Sequence, residues 1–167
     1  MIFHLNKFIV DIDVERTRTL YDRPDVPTIS EQYDCVNCQN FEKAILKASD
    51  PVLAFLRSLG IDPRKPAYAF VGVEKMGEDG NVWYTGWYHV CGHFVEIPET
   101  LSELVFCNDL HRDVSPWEQA HTPDPEFPFT VLPVEEIIML PKAFPTSVVP
   151  LQFDTRLPWL MDTPFEA

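Results

Sequence analysis

The sequence predicts an α+β domain, an antiparallel sheet with a helical hairpin (about residues 38 to 60) packed on one face. Three observations predict it. Residues 8 to 14 set Phe8, Val10, Ile12 and Val14 against Ile9, Asp11 and Asp13, the two-residue period of a half-buried strand. Residues 67 to 74 and 82 to 94 alternate in the same way on either side of Gly77-Glu78-Asp79-Gly80, which supplies turn chemistry for a β-hairpin. Between these strands lie two apolar patterns of helical period.

The first strand leads into residues 22 to 29, which hold Pro24 and Pro27 without any period and read as an extended loop. The loop delivers the chain to Cys35-Val36-Asn37-Cys38, its one tightly spaced cysteine pair. Beyond it, Phe41, Ala44, Ile45 and Ala48 fall at i, i+3, i+4 and i+7. They predict a helix from about Cys38 to Ala48, with Asn37 as N-cap. A second helix is marked by Asp50 as N-cap and Pro51 at the first helical position. Val52, Phe55, Leu56 and Leu59 form its face, and Gly60 is its stop. With almost nothing between them, the two form an αα-hairpin.

In the second strand of the hairpin, Val82, Tyr84, Tyr88, Val90 and Phe94 share one face. Trp83, Trp87, His89, Cys91 and His93 share the other, with Gly86 and Gly92 as points where a bulge would break the register. Thr100 with Glu103, and Ser115 with Glu118, carry capping-box spacing for two short helices. Residues 121 to 128 read as a loop on composition. Residues 129 to 132, 134 to 140 and 151 to 157 follow as short apolar pieces, the last alternating as a late strand. Prolines 141, 145, 150 and 158 favour edge positions or connectors for them.

A chain of 167 residues with 46% hydrophobic and 23% charged residues has the size and apolar content of one globular domain, so residues 1 to 167 are read as a single unit. The net charge is −13, and it is uneven. Residues 1 to 95 carry 13 acids and 10 bases, whereas residues 96 to 167 carry 13 acids and 3 bases. That balance excludes sequence-independent nucleic-acid binding, which needs Lys and Arg to neutralise phosphates. The first residues, with His4, Asn6, Lys7, Asp11 and Asp13 among the apolar ones, fit neither a secretory core nor a membrane span. A cytoplasmic location without membrane contact is expected, where four cysteines are read as thiols or metal ligands.

The segments Asp34-Cys35-x-x-Cys38-x-Asn40-Phe41, Leu59-Gly60-Ile61-Asp62-Pro63-x-Lys65-Pro66 and Gly86-Trp87-Tyr88-His89-x-x-Gly92 together resemble a group of small uncharacterised bacterial proteins. The resemblance covers roughly residues 33 to 92. It implies a small bacterial protein and no particular activity.

The cysteine pair supports three chemistries. C-x-x-C spacing lets two thiolates bind one tetrahedral zinc, and two more ligands complete a structural site. Cys107 and His111, at i and i+4, are one completion; two of His89, Cys91 and His93 are the other. Alternatively the pair cycles between dithiol and disulfide, with the thiolate favoured at a helix N-terminus. In the plainest reading both cysteines are small hydrophobes at a helix start, above Phe41. Trp83, Trp87 and His89 are a candidate ligand-binding set, against the ordinary role of strand aromatics in packing helices.

Other catalytic patterns are missing. Gly72, Gly77 and Gly80 lack the Gly-Lys-Ser/Thr ending of a phosphate loop. Neither Gly-x-Ser-x-Gly nor His-Glu-x-x-His occurs. Glu135 and Glu136 are adjacent and diverge, and Asp109, His111 and Asp113 read as a solvated acidic loop before a metal cluster. The leading expectation is therefore a non-enzymatic binding or interaction module with a protein or small-molecule partner. The alternative is a thiol or zinc-dependent enzyme, or a zinc-stabilised protein, centred on Cys35 and Cys38.

Overall fold

The computed structural model describes residues 1–5, 8–72, 77–97, 121–131 and 140–165. It is an α+β fold: a seven-strand antiparallel sheet with four helices packed against it. In chain order the elements are β1 (Ile2–Leu5), β2 (Phe8–Ile12), α1 (Val14–Tyr21), α2 (Ile29–Gln32), α3 (Val36–Ala44), a 3-10 turn (Ile45–Lys47) and α4 (Asp50–Ser58). Then come β3 (Tyr68–Val71), β4 (Asn81–Glu96), β5 (His121–Asp124), β6 (Phe127–Val131) and β7 (Val148–Pro158). No helix among the described residues is long and apolar enough to cross a membrane.

The sheet is built around β4. Its strand order is β1-β2-β4-β7-β6-β5, and β3 also pairs with β4, on the edge that β2 occupies further along. The alternation predicted for β4 is observed. Val82, Tyr84, Tyr88 and Val90 point inward and are buried, against Val149, Leu151, Phe153 and Leu157 from β7. The strand runs unbroken through Gly86 and Gly92. Gly86 is needed there because a Cβ would run into the Tyr68 carbonyl and the Phe153 ring.

The helical hairpin covers the inner face as expected, with boundaries that differ in detail. The α3 helix starts two residues before the predicted point, capped by Cys35 in place of Asn37, and ends in the 3-10 turn. The α4 helix is capped by Ser49, one residue ahead of Asp50, and Pro51 sits in its first turn. Phe41, Ala44, Ile45, Val52, Leu56 and Leu59 are all fully buried. Phe41 anchors the contact, stacking on Phe153 at 5.5 Å and meeting Tyr84 edge-on at 5.3 Å. Truncating so large a buried ring typically costs about 3–5 kcal/mol. At the end of α4, Gly60 takes φ +79°, and a Cβ there would lie 2.6 Å from the Val14 carbonyl oxygen. Only glycine lets α1 cross so closely.

Four local expectations are corrected. Residues 14 to 21, given no helix in the sequence reading, form α1, with the Asp13 carboxylate accepting from the Arg16 amide at 3.0 Å. Thr28 and Glu31 form a capping box that opens α2 at the end of the expected loop. Residues 121 to 128, expected to be a loop, contain β5 and the start of β6, an irregular hairpin at the sheet edge. Finally, β7 is an 11-residue central strand in spite of Pro150 and Pro158. Pro150 is tolerated because its partner on β4, His89, turns its own backbone N–H and C=O towards Tyr21. The missing N–H of Pro150 is thus not required there. The two short helices expected after Thr100 and Ser115 lie outside the described residues.

Candidate dithiol site

The chain enters the site through a tight turn. The Cys35 amide donates to the Tyr33 carbonyl at 2.8 Å, an i to i+2 bond of the γ-turn type. Cys35 then adopts extended backbone (φ −139°, ψ 149°), and its Sγ accepts from the Cys38 amide at 3.3 Å. The thiol does the capping usually done by Ser, Thr, Asp or Asn. One helical turn on, Cys38 points inward, and the two sulfurs lie 2.7 Å apart.

The two cysteines differ in environment. Cys35 is exposed, whereas Cys38 is 5% exposed. Burial, reinforced by the hydrogen bond and charge of Cys35, pushes the Cys38 thiol up to about 12. An anion there would be poorly solvated. One sulfur meets solvent, and the other stands protonated behind it.

Beneath the pair a polar network holds α3 in place. The Tyr84 hydroxyl donates to the Asn37 carbonyl at 3.0 Å and accepts from Asn40 Nδ2, also at 3.0 Å. Asn40, fully buried, donates again to the Pro158 carbonyl at 3.1 Å and accepts from the Leu160 amide at 2.6 Å. The helix carrying the cysteines is therefore bolted both to β4 and to the segment that follows β7. Burial is the main reason the Tyr84 phenol is raised, and the nearby cysteines add to it. Sequence reasoning did not single out Tyr84 as a member of the site, nor Asn40. The available signal was an asparagine on the same helix turn as Phe41, where an amide must find partners.

On the other side an aromatic row begins. The Tyr33 ring meets Tyr68 edge-on at 5.4 Å, and Tyr68 contacts Phe70 at 5.6 Å and Trp87 at 5.5 Å. Phe70 is 42% exposed, as is Val36, next to Cys35, at 39%.

The remaining predicted residues fall elsewhere. Trp83 lies on the outer face of β4, with its indole N–H on the Asp154 carboxylate and its ring against Gly72. Trp87 belongs to the aromatic row. His89 shares their side of the strand but is 1% exposed, set 6.3 Å from the Phe144 ring. Neither of its nitrogens has a partner among the described residues. Burial alone takes its imidazole down to about 4. Cys91 is buried beside α1, its amide donating to Thr17 Oγ1 at 3.0 Å, and His93 is exposed.

Among the described residues no three His, Cys, Asp or Glu side chains converge as a metal site. The set His89, Cys91 and His93 is thus not assembled around Cys35 and Cys38. Cys107 and His111 lie outside the described residues. What the described geometry brings together is two thiols.

Comparison of the chain with protein-family models, with curated protein sequences and with solved structures gave no match.

Proposed function

We propose that Cys35 and Cys38 form a thiol–disulfide couple, with Cys35 as the exchanging thiol and Cys38 as the resolving one. The supporting observation is the pair itself: an exposed sulfur 2.7 Å from a buried one, across a helix N-terminus. In the exchange, the Cys35 thiolate attacks one sulfur of an external disulfide, and the other leaves as a thiolate that takes up a proton. Cys38 then gives up its proton and attacks Cys35 Sγ, expelling the second external thiol. The couple ends as an intramolecular disulfide, the external disulfide as two thiols.

The test is equilibration against mixtures of oxidised and reduced dithiothreitol, with acid quenching, alkylation and mass measurement. The expected outcome is a two-electron titration that loses two alkylatable thiols and disappears in Cys35→Ser and in Cys38→Ser. A folded protein that keeps both thiols alkylatable at the most oxidising ratio overturns the reading.

A non-enzymatic interaction module is the second reading, and one observation favours it. Phe70, 42% exposed, ends a row of rings that runs through Tyr68 to Tyr33 and Trp87.

A further inference from the structure

We infer that Tyr84, seated by Asn40, is a positioning residue of the Cys35–Cys38 couple, holding the turn between the two sulfurs in the shape from which the disulfide closes. The proposal rests on the dithiol reading above and adds what sets the stability of the oxidised state.

Within itself the turn is held weakly. The Cys35 amide donates to the Tyr33 carbonyl at 2.8 Å, and Cys35 Sγ accepts from the Cys38 amide at 3.3 Å, a bond to a poor acceptor. Among the described residues, one hydrogen bond reaches residues 35 to 38 from another strand or helix: the Tyr84 hydroxyl of β4 donates to the Asn37 carbonyl at 3.0 Å. That carbonyl and the Cys38 N–H belong to the same peptide unit. The unit is planar and trans, so its C=O and N–H point in opposite directions and move together. Pinning the oxygen to the sheet therefore aims the N–H at Cys35 Sγ and fixes the backbone that carries the buried thiol.

Asn40 decides which way the hydroxyl donates. Its Nδ2 donates to the Tyr84 oxygen at 3.0 Å, which leaves the phenol proton for Asn37. The amide cannot flip, because Oδ1 accepts from the Leu160 amide at 2.6 Å and Nδ2 also donates to the Pro158 carbonyl at 3.1 Å. Both side chains are fully buried, so water does not compete for these bonds. Burial also raises the Tyr84 phenol, which keeps the donor protonated.

An intramolecular disulfide is favoured in proportion to the effective concentration of one thiol at the other. That concentration rises when motions separating the two are removed beforehand. Tyr84 thus favours the oxidised state by acting through the backbone.

The dithiothreitol equilibration described above is run on the parent, Tyr84→Phe and Tyr88→Phe. Tyr88 is the control, fully buried on the same strand, with its hydroxyl donating to the Pro63 carbonyl at 2.8 Å, outside the cysteine turn. Tyr84→Phe should need an oxidised-to-reduced ratio about tenfold higher for half oxidation, about 30 mV for a two-electron couple. Tyr88→Phe, which loses a comparable buried bond, should stay within about twofold of the parent. Coupling is reciprocal, so in the parent the disulfide should tighten the network in turn. The Leu160 amide should exchange several-fold more slowly in the oxidised protein than in the reduced, while the amides of α1 keep one rate in both. This arm needs no variant and decides the matter if Tyr84→Phe does not fold.

A Tyr84→Phe midpoint equal to the parent's, or one that Tyr88→Phe shifts as far, overturns the inference and leaves the couple standing. Leu160 exchange that ignores the redox state does the same. A parent that keeps both thiols at the most oxidising ratio removes the dithiol reading and this one together.

Discussion

The Tyr21 hydroxyl accepts from the His89 amide at 3.2 Å and donates to the His89 carbonyl at 3.1 Å, so one side chain stands in for a neighbouring strand. The site of this substitution is the gap on the edge of β4 between the start of β3, where Tyr68 pairs with Trp87, and the end of β2, where Ile12 pairs with Gly92. Thr17 works beside it, accepting from the Cys91 amide at 3.0 Å and donating to the Asp13 carbonyl at 2.8 Å. Helix α1 thereby completes the hydrogen bonding of a sheet to which it does not belong.

Tyr21→Phe keeps the ring contact with Phe144 but leaves a buried N–H and C=O without their partner. Loss of the pair should lower unfolding free energy by about 2–4 kcal/mol. Urea denaturation checks this, with an unchanged slope showing that compactness is kept.

Acid stability should depend on His89. Its imidazole is held down to about 4 by burial, against about 6.5 in the unfolded chain. Between those values the unfolded state holds the proton and the folded state does not, so stability falls as pH is lowered. From pH 7 to pH 4 this single group should remove roughly 3 kcal/mol. His89→Leu should flatten that part of the stability profile; an unchanged acid limb would show that other groups set it.

Native Cys38 should resist alkylation while Cys35 reacts. Mass mapping after brief iodoacetamide treatment at pH 8 should find the label on Cys35, and on Cys38 only after unfolding. The Cys38 thiol, pushed up to about 12, keeps its proton in the folded state where the unfolded thiol near 9 has lost it. Stability should accordingly decline as pH rises above about 9.

Asn40→Ala should destabilise by about 2–3 kcal/mol, because it strands the Pro158 carbonyl and the Leu160 amide together. Hydrogen exchange supplies the sharper readout: the Leu160 amide should lose its protection well before the amides of β4 do.

The parts of the fold read from sequence were those where one side chain pattern meant one thing. Alternation in β2 and β4 reflects a sheet with a buried inner face, and the 3.6-residue period of α3 and α4 reflects the helices covering it. Helix α1 escaped because its inward residues include Thr17, a polar side chain that is fully buried for the sake of its hydroxyl. Pro123, Pro125 and Pro128 disguised β5 and β6, since pairing that tolerates a missing N–H depends on which edge each residue turns outward. At the site, Cys35 and Cys38 were visible as a spacing. The cap was assigned to Asn37 because sulfur is not a usual capping atom, although the Cys35 thiol takes that role. The Tyr84–Asn40 link joins residues 44 apart in the chain and left no local trace.

The 16 residues of β4 are hydrogen-bonded to β2, β3 and β7, segments drawn from both ends of the chain. Its partnership with β7 cannot form until residues 148 to 158 have been made, so a ribosome delivers all of residues 1 to 147 before the sheet can close. Folding of this kind is governed by distant encounters and is slow for its size. A nascent chain halted near residue 147 would expose the inward row Val82, Tyr84, Tyr88 and Val90 to whatever apolar surface it met first.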